Sequence, residues 1–197
     1  MSQTYLKAEV IEKAKDYLRQ SVGEELFKYF DLDPDSYYEY ETNSGKTKWD
    51  EINKGKKTKG NFVNGDDIRF FLKHPEFPYL YINKRIYVEL DSLLNLSRKI
   101  NLDRLPKFLL RNENSDWLND TELELIINEN LNKKGINPAS KRLEFNTKTD
   151  SYYWIVFNTL EKTKCTSDYE ILHINPVTGN IEKHFEDKYL EMHCSEK

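Results

Sequence analysis

Three acidic residues at alternate positions, Asp31, Asp33 and Asp35, copy the first, third and fifth ligands of a calcium loop. The match then stops: Ser36 stands where such a loop needs glycine, Pro34 stiffens the chain, and Thr42 holds the place of the bidentate glutamate. A helix stop followed by a solvated acidic turn accounts for the same residues. Ser44, Gly45, Lys46 and Thr47 end like a phosphate-binding loop, but Tyr40 replaces its first glycine. His173 and His184 fall on neighbouring expected strands, where a shared face would join two nitrogen ligands, with His193 or Cys194 as a third. No short-spaced ligand pair supports that set, and half-buried histidines commonly satisfy ordinary hydrogen bonds. Neither cysteine has a histidine and a glycine turn close by, and no serine sits in a strand-to-helix elbow. The sequence therefore assigns no catalytic residue, no cofactor and no metal.

What remains is contact chemistry. Residues 44–60 carry six lysines against Asp50 and Glu51, in a chain whose net charge is −4. Lysines beside Trp49 suit phosphate gripping with base stacking, or a solvated loop, or the rim of a protein-binding patch whose centre is aromatic. The acidic remainder of the chain argues against a general nucleic-acid binder. The expected partner-binding set is Tyr37, Tyr38, Tyr40, Trp49, Lys54, Lys56, Lys57 and Lys59.

The elements that must position these residues follow from periodicity and punctuation. Leu6, Val10, Ala14, Tyr17 and Leu18 recur on one side of a helix over residues 5–20. Ser21 and Glu24 have capping-box spacing, which predicts a second short helix through Phe30, ended by Pro34. Residues 37–41 and 47–49 flank a turn at 43–46 and predict a polar hairpin. The lysine-rich stretch reads as a mobile loop or an exposed edge. A second hairpin joins residues 79–82 to 85–90 through Asn83 and Lys84, and Asp91 or Ser92 caps a helix bearing Leu93, Leu94, Leu96 and Ile100. Residues 112–115 mark a boundary, giving an N-terminal α+β lobe over 1–114 and a C-terminal module over 115–197. In that module Asn119 or Asp120 caps a helix over residues 121–134, with Leu123, Ile126, Ile127 and Leu131 as its buried stripe and Gly135 as its terminator. Residues 152–158 alternate Tyr152, Trp154 and Val156 with Tyr153, Ile155 and Phe157, so both faces of one strand are apolar. The helix covers one face. The other should meet the first lobe or a partner, since wetting three large side chains forfeits several kcal/mol, at roughly 1.5–3 kcal/mol each. Strands at 169–174 and 181–185 close through Asn175, Pro176 and Gly179. The fold class expected is α+β: a C-terminal helix packed on an antiparallel sheet, after an N-terminal lobe of short helices plus a β-hairpin.

Trp154, Ile155, Val156 and Phe157, followed by Ile174, Asn175, Pro176, Val177, Thr178, Gly179, Asn180 and Ile181, resemble the helix-then-hairpin pattern of PepSY-type and cystatin-like modules. A similar strand and turn pattern occurs in small bacterial toxin-immunity proteins. The resemblance implies a non-enzymatic protein that acts by binding another protein, a toxin in the immunity case, with no cofactor. Two alternatives stand beside it: a nucleic-acid-associated module using the Lys46 to Lys59 loop, and an enzyme whose site is assembled from scattered residues. Only Cys165 and Cys194 are present, and residues 1–20 lack the apolar core of a signal peptide. The expected location is the cytoplasm, although the two cysteines would pair if the fold brought them together.

Overall fold

The computed structural model describes residues 3–79 and 82–190, and divides the chain into two compact units, Met1–Asn114 and Ser115–Lys197. The first unit opens with α1 (Lys7–Val22), whose positions Val10, Ala14 and Leu18 fall four apart and are fully buried. Leu6, expected on the same stripe, is half exposed and instead forms an isolated bridge to Lys57. Gly23, at a φ of 79°, ends the helix, and one turn of α2 (Glu24–Phe27) follows. That second helix does not reach Phe30, because Phe30 already belongs to β1 (Phe30–Leu32).

The expected polar hairpin is present as β2 (Tyr37–Glu41) and β3 (Thr47–Glu51), with Tyr40 opposite Lys48. The strand that organises the unit, β4 (Asn61–Leu72), is one that no sequence expectation contained. Its first half pairs with β2, and its second half pairs with β1 and with β5 (Arg85–Val88). Ile68, Phe70 and Leu72 alternate into the core, which explains the strand once its neighbours are known. β5 therefore pairs with β4. Of its expected partner segment, Leu80 and Tyr81 lie outside the described residues. No helix follows Asp91; its carboxylate caps a tight turn by accepting from the amides of Leu93 and Asn95, and Leu94 takes a left-handed φ of 62°. After Pro106 a single helical turn follows, α3 (Lys107–Leu110).

The second unit begins with α4 (Asp120–Asn130), capped by Asn119 in a capping box with Glu122. A four-stranded antiparallel meander follows: β6 (Ser140–Asn146), β7 (Ser151–Lys162), β8 (Thr166–Ile174) and β9 (Ile181–Leu190), adjacent in space in that order. Gly179, with a φ of 74°, closes the last turn, where the Asn175 side chain accepts from the amides of Val177 and Thr178.

The α+β expectation, a C-terminal helix packed on an antiparallel sheet after a lobe of short helices and one hairpin, is thereby corrected. The chain is mostly β, with two antiparallel sheets, and strand at 38% outweighs helix at 19%. The first unit is built on a five-stranded sheet, and α4 is short. The reason for its early stop is visible. The amides of Asn132 and Lys133 donate to the Glu170 carboxylate on β8, which draws the chain out of helical geometry before the lysines and Gly135 are reached.

Candidate protein-binding surface

The eight residues expected to form a contact patch are split by the pleat. Residues opposite each other on antiparallel strands share a face. Tyr38 and Tyr40, opposite Asp50 and Lys48, therefore lie on one side of β2 and β3, while Tyr37 and Trp49 lie on the other. Tyr38 is fully buried and stacks on Phe62, so it is a core residue, whereas Trp49 is 55% exposed. Lys54, Lys56, Lys57 and Lys59 are all exposed.

The lysine stretch is held rather than free. Lys7, itself buried, donates from Nζ to Asp50 Oδ2 at 2.8 Å and to the carbonyls of Glu51 and Lys54. The Lys7 amide donates to the Lys56 carbonyl, and the amides of Thr58 and Phe62 donate to the carbonyls of Tyr5 and Gln3. Asp50 also accepts from Lys59 Nζ at 2.7 Å and from the Tyr38 hydroxyl at 3.0 Å. Burial pushes the Asp50 carboxyl up, but the hydrogen bonds from Lys59, Lys7 and Tyr38 outweigh it and hold the group at about 2. Burial also raises the Tyr38 phenol. Lys54 pairs with Glu51 at 2.7 Å. Two of the four exposed lysines are thus in ion pairs with the local acids.

The second unit carries an aromatic face. On β7, β8 and β9, one face presents Tyr153 and Phe157, then Tyr169 and His173, then Phe185, with Ile155 and Ile171 between them. Tyr153 stacks on His173 at 4.9 Å, His173 meets Phe185 edge-on, and Phe157, Tyr169 and Tyr189 form a mutual edge-to-face cluster. Arg142 of β6 lies over the Phe157 ring at 4.8 Å. Ile155 and Ile171 are sealed at 6% and 1% exposure, while Phe185 and Tyr189 keep 39% and 45%. The aromatic layer shields the strands beneath it and offers its own outer surface. Such rings bring large apolar area with little rotamer freedom to lose, which suits docking.

The opposite face is buried along β7 and β8, whereas the β9 residues on it are exposed. Trp154, Val156 and Leu172 are buried there with Leu143 of β6. Glu170, 1% exposed, accepts from the amides of Asn132 and Lys133, from Asn158 Nδ2 at 2.9 Å, and shares a 2.8 Å contact with His184 Nε2. Burial pushes this carboxyl up, and those bonds together carry it below the ordinary glutamate value. All its acceptor directions are engaged with the protein, so its chemistry is that of an anchor for residues 132–133.

The two histidines expected to share a face do not. His184 is opposite Leu172 and His173 opposite Lys183, one residue apart, which sets them on opposite sides of the sheet. His193 and Cys194 lie outside the described residues. The acidic turn is spoken for as well: Asp33, buried at 4% exposure, bonds Arg85 Nε and the Asp35 amide, which together outweigh the effect of burial and lower its carboxyl. Among the described residues no group of three His, Cys, Asp or Glu side chains is arranged to hold a metal ion. Cys165, in the turn between β7 and β8, is disulfide-bonded. No helix among the described residues is long and apolar enough to cross a membrane.

Sequence reasoning found the two-sided apolar character of β7 but missed the ring cluster on β8 and β9. The available signal was Tyr169, His173, Phe185 and Tyr189, each spaced by four residues within its strand. No protein-family model, no curated protein and no solved structure matches this chain.

Proposed function

We propose that the protein acts without catalysis, by binding another protein through the aromatic face of β7, β8 and β9. The observation that carries the reading is the half-exposed ring cluster, with Phe185 and Tyr189 at its outer edge. Aromatic anchors of this kind supply most of the energy of protein contacts, and truncating one commonly costs more than about 1 kcal/mol. The resemblance in the strand and turn residues favours an immunity-type inhibitor, with a bacterial toxin as the partner. Trp49, Lys54, Lys56, Lys57 and Lys59 are exposed and remain candidate contacts for an acidic partner, with Lys54 and Lys59 already paired to Glu51 and Asp50.

The test is affinity capture from the native host after nuclease treatment, comparing the native chain with Tyr169→Ala/Tyr189→Ala. A stoichiometric protein complex that survives nuclease and weakens about tenfold or more in the double variant is expected. A complex that disappears with the nuclease, or one indifferent to both tyrosines, overturns the reading. A toxin-like reading frame beside the gene would support the immunity assignment. The cytoplasmic location belongs to the same proposal. Alkylation of thiols in freshly lysed cells decides between a reducing and an oxidising compartment.

A further inference from the structure

Among the described residues β9 is the outermost strand of its sheet, ten residues long, with every position from Glu182 to Leu190 exposed. A long open edge presents unpaired backbone groups that another strand can bond, and proteins commonly guard such edges with charge. Here the guarding charges have a symmetry of their own. A two-fold pairing of identical antiparallel strands must place its axis at a residue position, because directly opposed side chains share a face.

Five centres between Lys183 and Asp187 are possible, and four of them oppose like charges. Centring on Lys183, Glu186 or Asp187 sets that residue against its own copy, and centring on His184 sets Glu182 against Glu186. Centring on Phe185 does the reverse. Lys183 then faces Asp187 twice and Phe185 meets Phe185 on the axis, while His184 keeps its contact with Glu170 and Glu186 its ion pair with Lys133. Cross-strand pairs of opposite charge and of two aromatic rings are each favourable by roughly 0.2–1 kcal/mol, and like charges directly opposed are unfavourable. The bulge that displaces Glu182 between His173 and Ile174 ends the regular register just beyond Lys183, which limits slippage.

We propose that β9 is a self-recognition edge, joining two copies of this chain in an isologous antiparallel dimer centred on Phe185. The contact fuses two four-stranded sheets into one of eight strands. It sets Phe185 of one copy beside that of the other, making the two aromatic faces continuous. The inference rests on the edge strand and its charges, independently of the partner proposed above.

Sedimentation of the full chain across a concentration series at low salt tests it. The native chain is expected to dimerise, with salt weakening the dimer. Lys183→Asp and Asp187→Lys each turn two favourable pairs into two repulsive ones, and each is expected to weaken dimerisation roughly tenfold or more. These side chains are exposed, so both variants keep the native fold by circular dichroism. Mixing the two variants restores every opposition, as does the double exchange Lys183→Asp/Asp187→Lys, and a dimer is expected in both cases. A native chain still monomeric at about 1 mM overturns the proposal, since that leaves no more than about 4 kcal/mol of association. So does a single variant that dimerises as well as the native chain, or a mixture that stays monomeric.

Discussion

Removing the Asp50 side chain with Asp50→Ala strands a buried cation, and its cost can be worked from the contacts. Lys7 Nζ, on a side chain only 4% exposed, keeps the carbonyls of Glu51 and Lys54 but loses its one carboxylate. Breaking a buried pair by deleting one partner costs about 3–5 kcal/mol, because the remaining charge is neither solvated nor compensated. Asp50 retains a fifth of its side chain in water, which places the expected loss near the lower end, about 3 kcal/mol. For a unit of this size that lowers the melting temperature by about 10 °C or more. Urea and thermal unfolding followed by circular dichroism at pH 7 measure it. Lys7→Met is the informative companion: it deletes the cation, while Asp50 keeps Lys59 and Tyr38, so a smaller loss of about 1 kcal/mol is expected. The double variant should then lose less than the two single losses added together. An Asp50→Ala loss below about 0.5 kcal/mol, or strict additivity in the double variant, would refute the claim that Lys7 depends on Asp50. The pH dependence has a definite sign. The folded carboxyl sits at about 2, below its unfolded value near 4, so its stabilisation is complete above that unfolded value and is lost as pH falls toward 2. Asp50→Ala should lack that acid-side loss.

Glu170→Gln should uncouple residues 132–133 from β8 and destabilise the second unit by about 1–3 kcal/mol at pH 7, measured by urea unfolding. Because burial is outweighed by four donors and the Glu170 carboxyl is lowered, the native chain loses this contribution as pH falls below the ordinary glutamate range, and the glutamine variant should show a flatter acid limb. Gly135→Ala is expected to cost about 1–3 kcal/mol, since the added Cβ collides with Oδ1 of buried Asn158, whose amide is fixed by Glu170 and the Lys133 carbonyl. Differential scanning calorimetry should register that loss in the second unit. Ser36→Ala should cost about 1–2 kcal/mol in thermal melts, because the buried hydroxyl donates to the Asp33 carbonyl and accepts from the Arg69 amide.

How much was legible follows from where each instruction resides. The turn at Asn175 to Asn180, the Asn119 cap, the Tyr37 to Trp49 hairpin and the two-sided strand at β7 are written in neighbouring residues, and sequence reasoning located them. β4 was not legible: Asn64, Gly65, Asp66 and Asp67 interrupt its alternation, and β1, β2 and β5 supply the ladders that make those residues a strand. β6 offers only Leu143 and Phe145 as apolar positions, and takes strand form by pairing along its whole length with β7. The extent of α4 was overstated because Lys133, Lys134 and Gly135 look like a helix end. The instruction that overrides them comes from Glu170, some forty residues later. The candidate contact patch suffered in a different way: composition brought the tyrosines and lysines of residues 37–59 together, while the two-residue period of the strand separates Tyr38 from Trp49.

The pairing order also sets how each unit assembles. In the meander β6 to β9 every ladder joins consecutive strands, so each closure spans a short loop and carries little entropic penalty. In the first unit β1 must wait for Leu72, and the Tyr5 to Thr58 contacts bridge more than fifty residues. Refolding should therefore separate into a rapid phase from the C-terminal meander and a slower one from the N-terminal sheet. On the ribosome, the part made first becomes committed only after β4 has emerged.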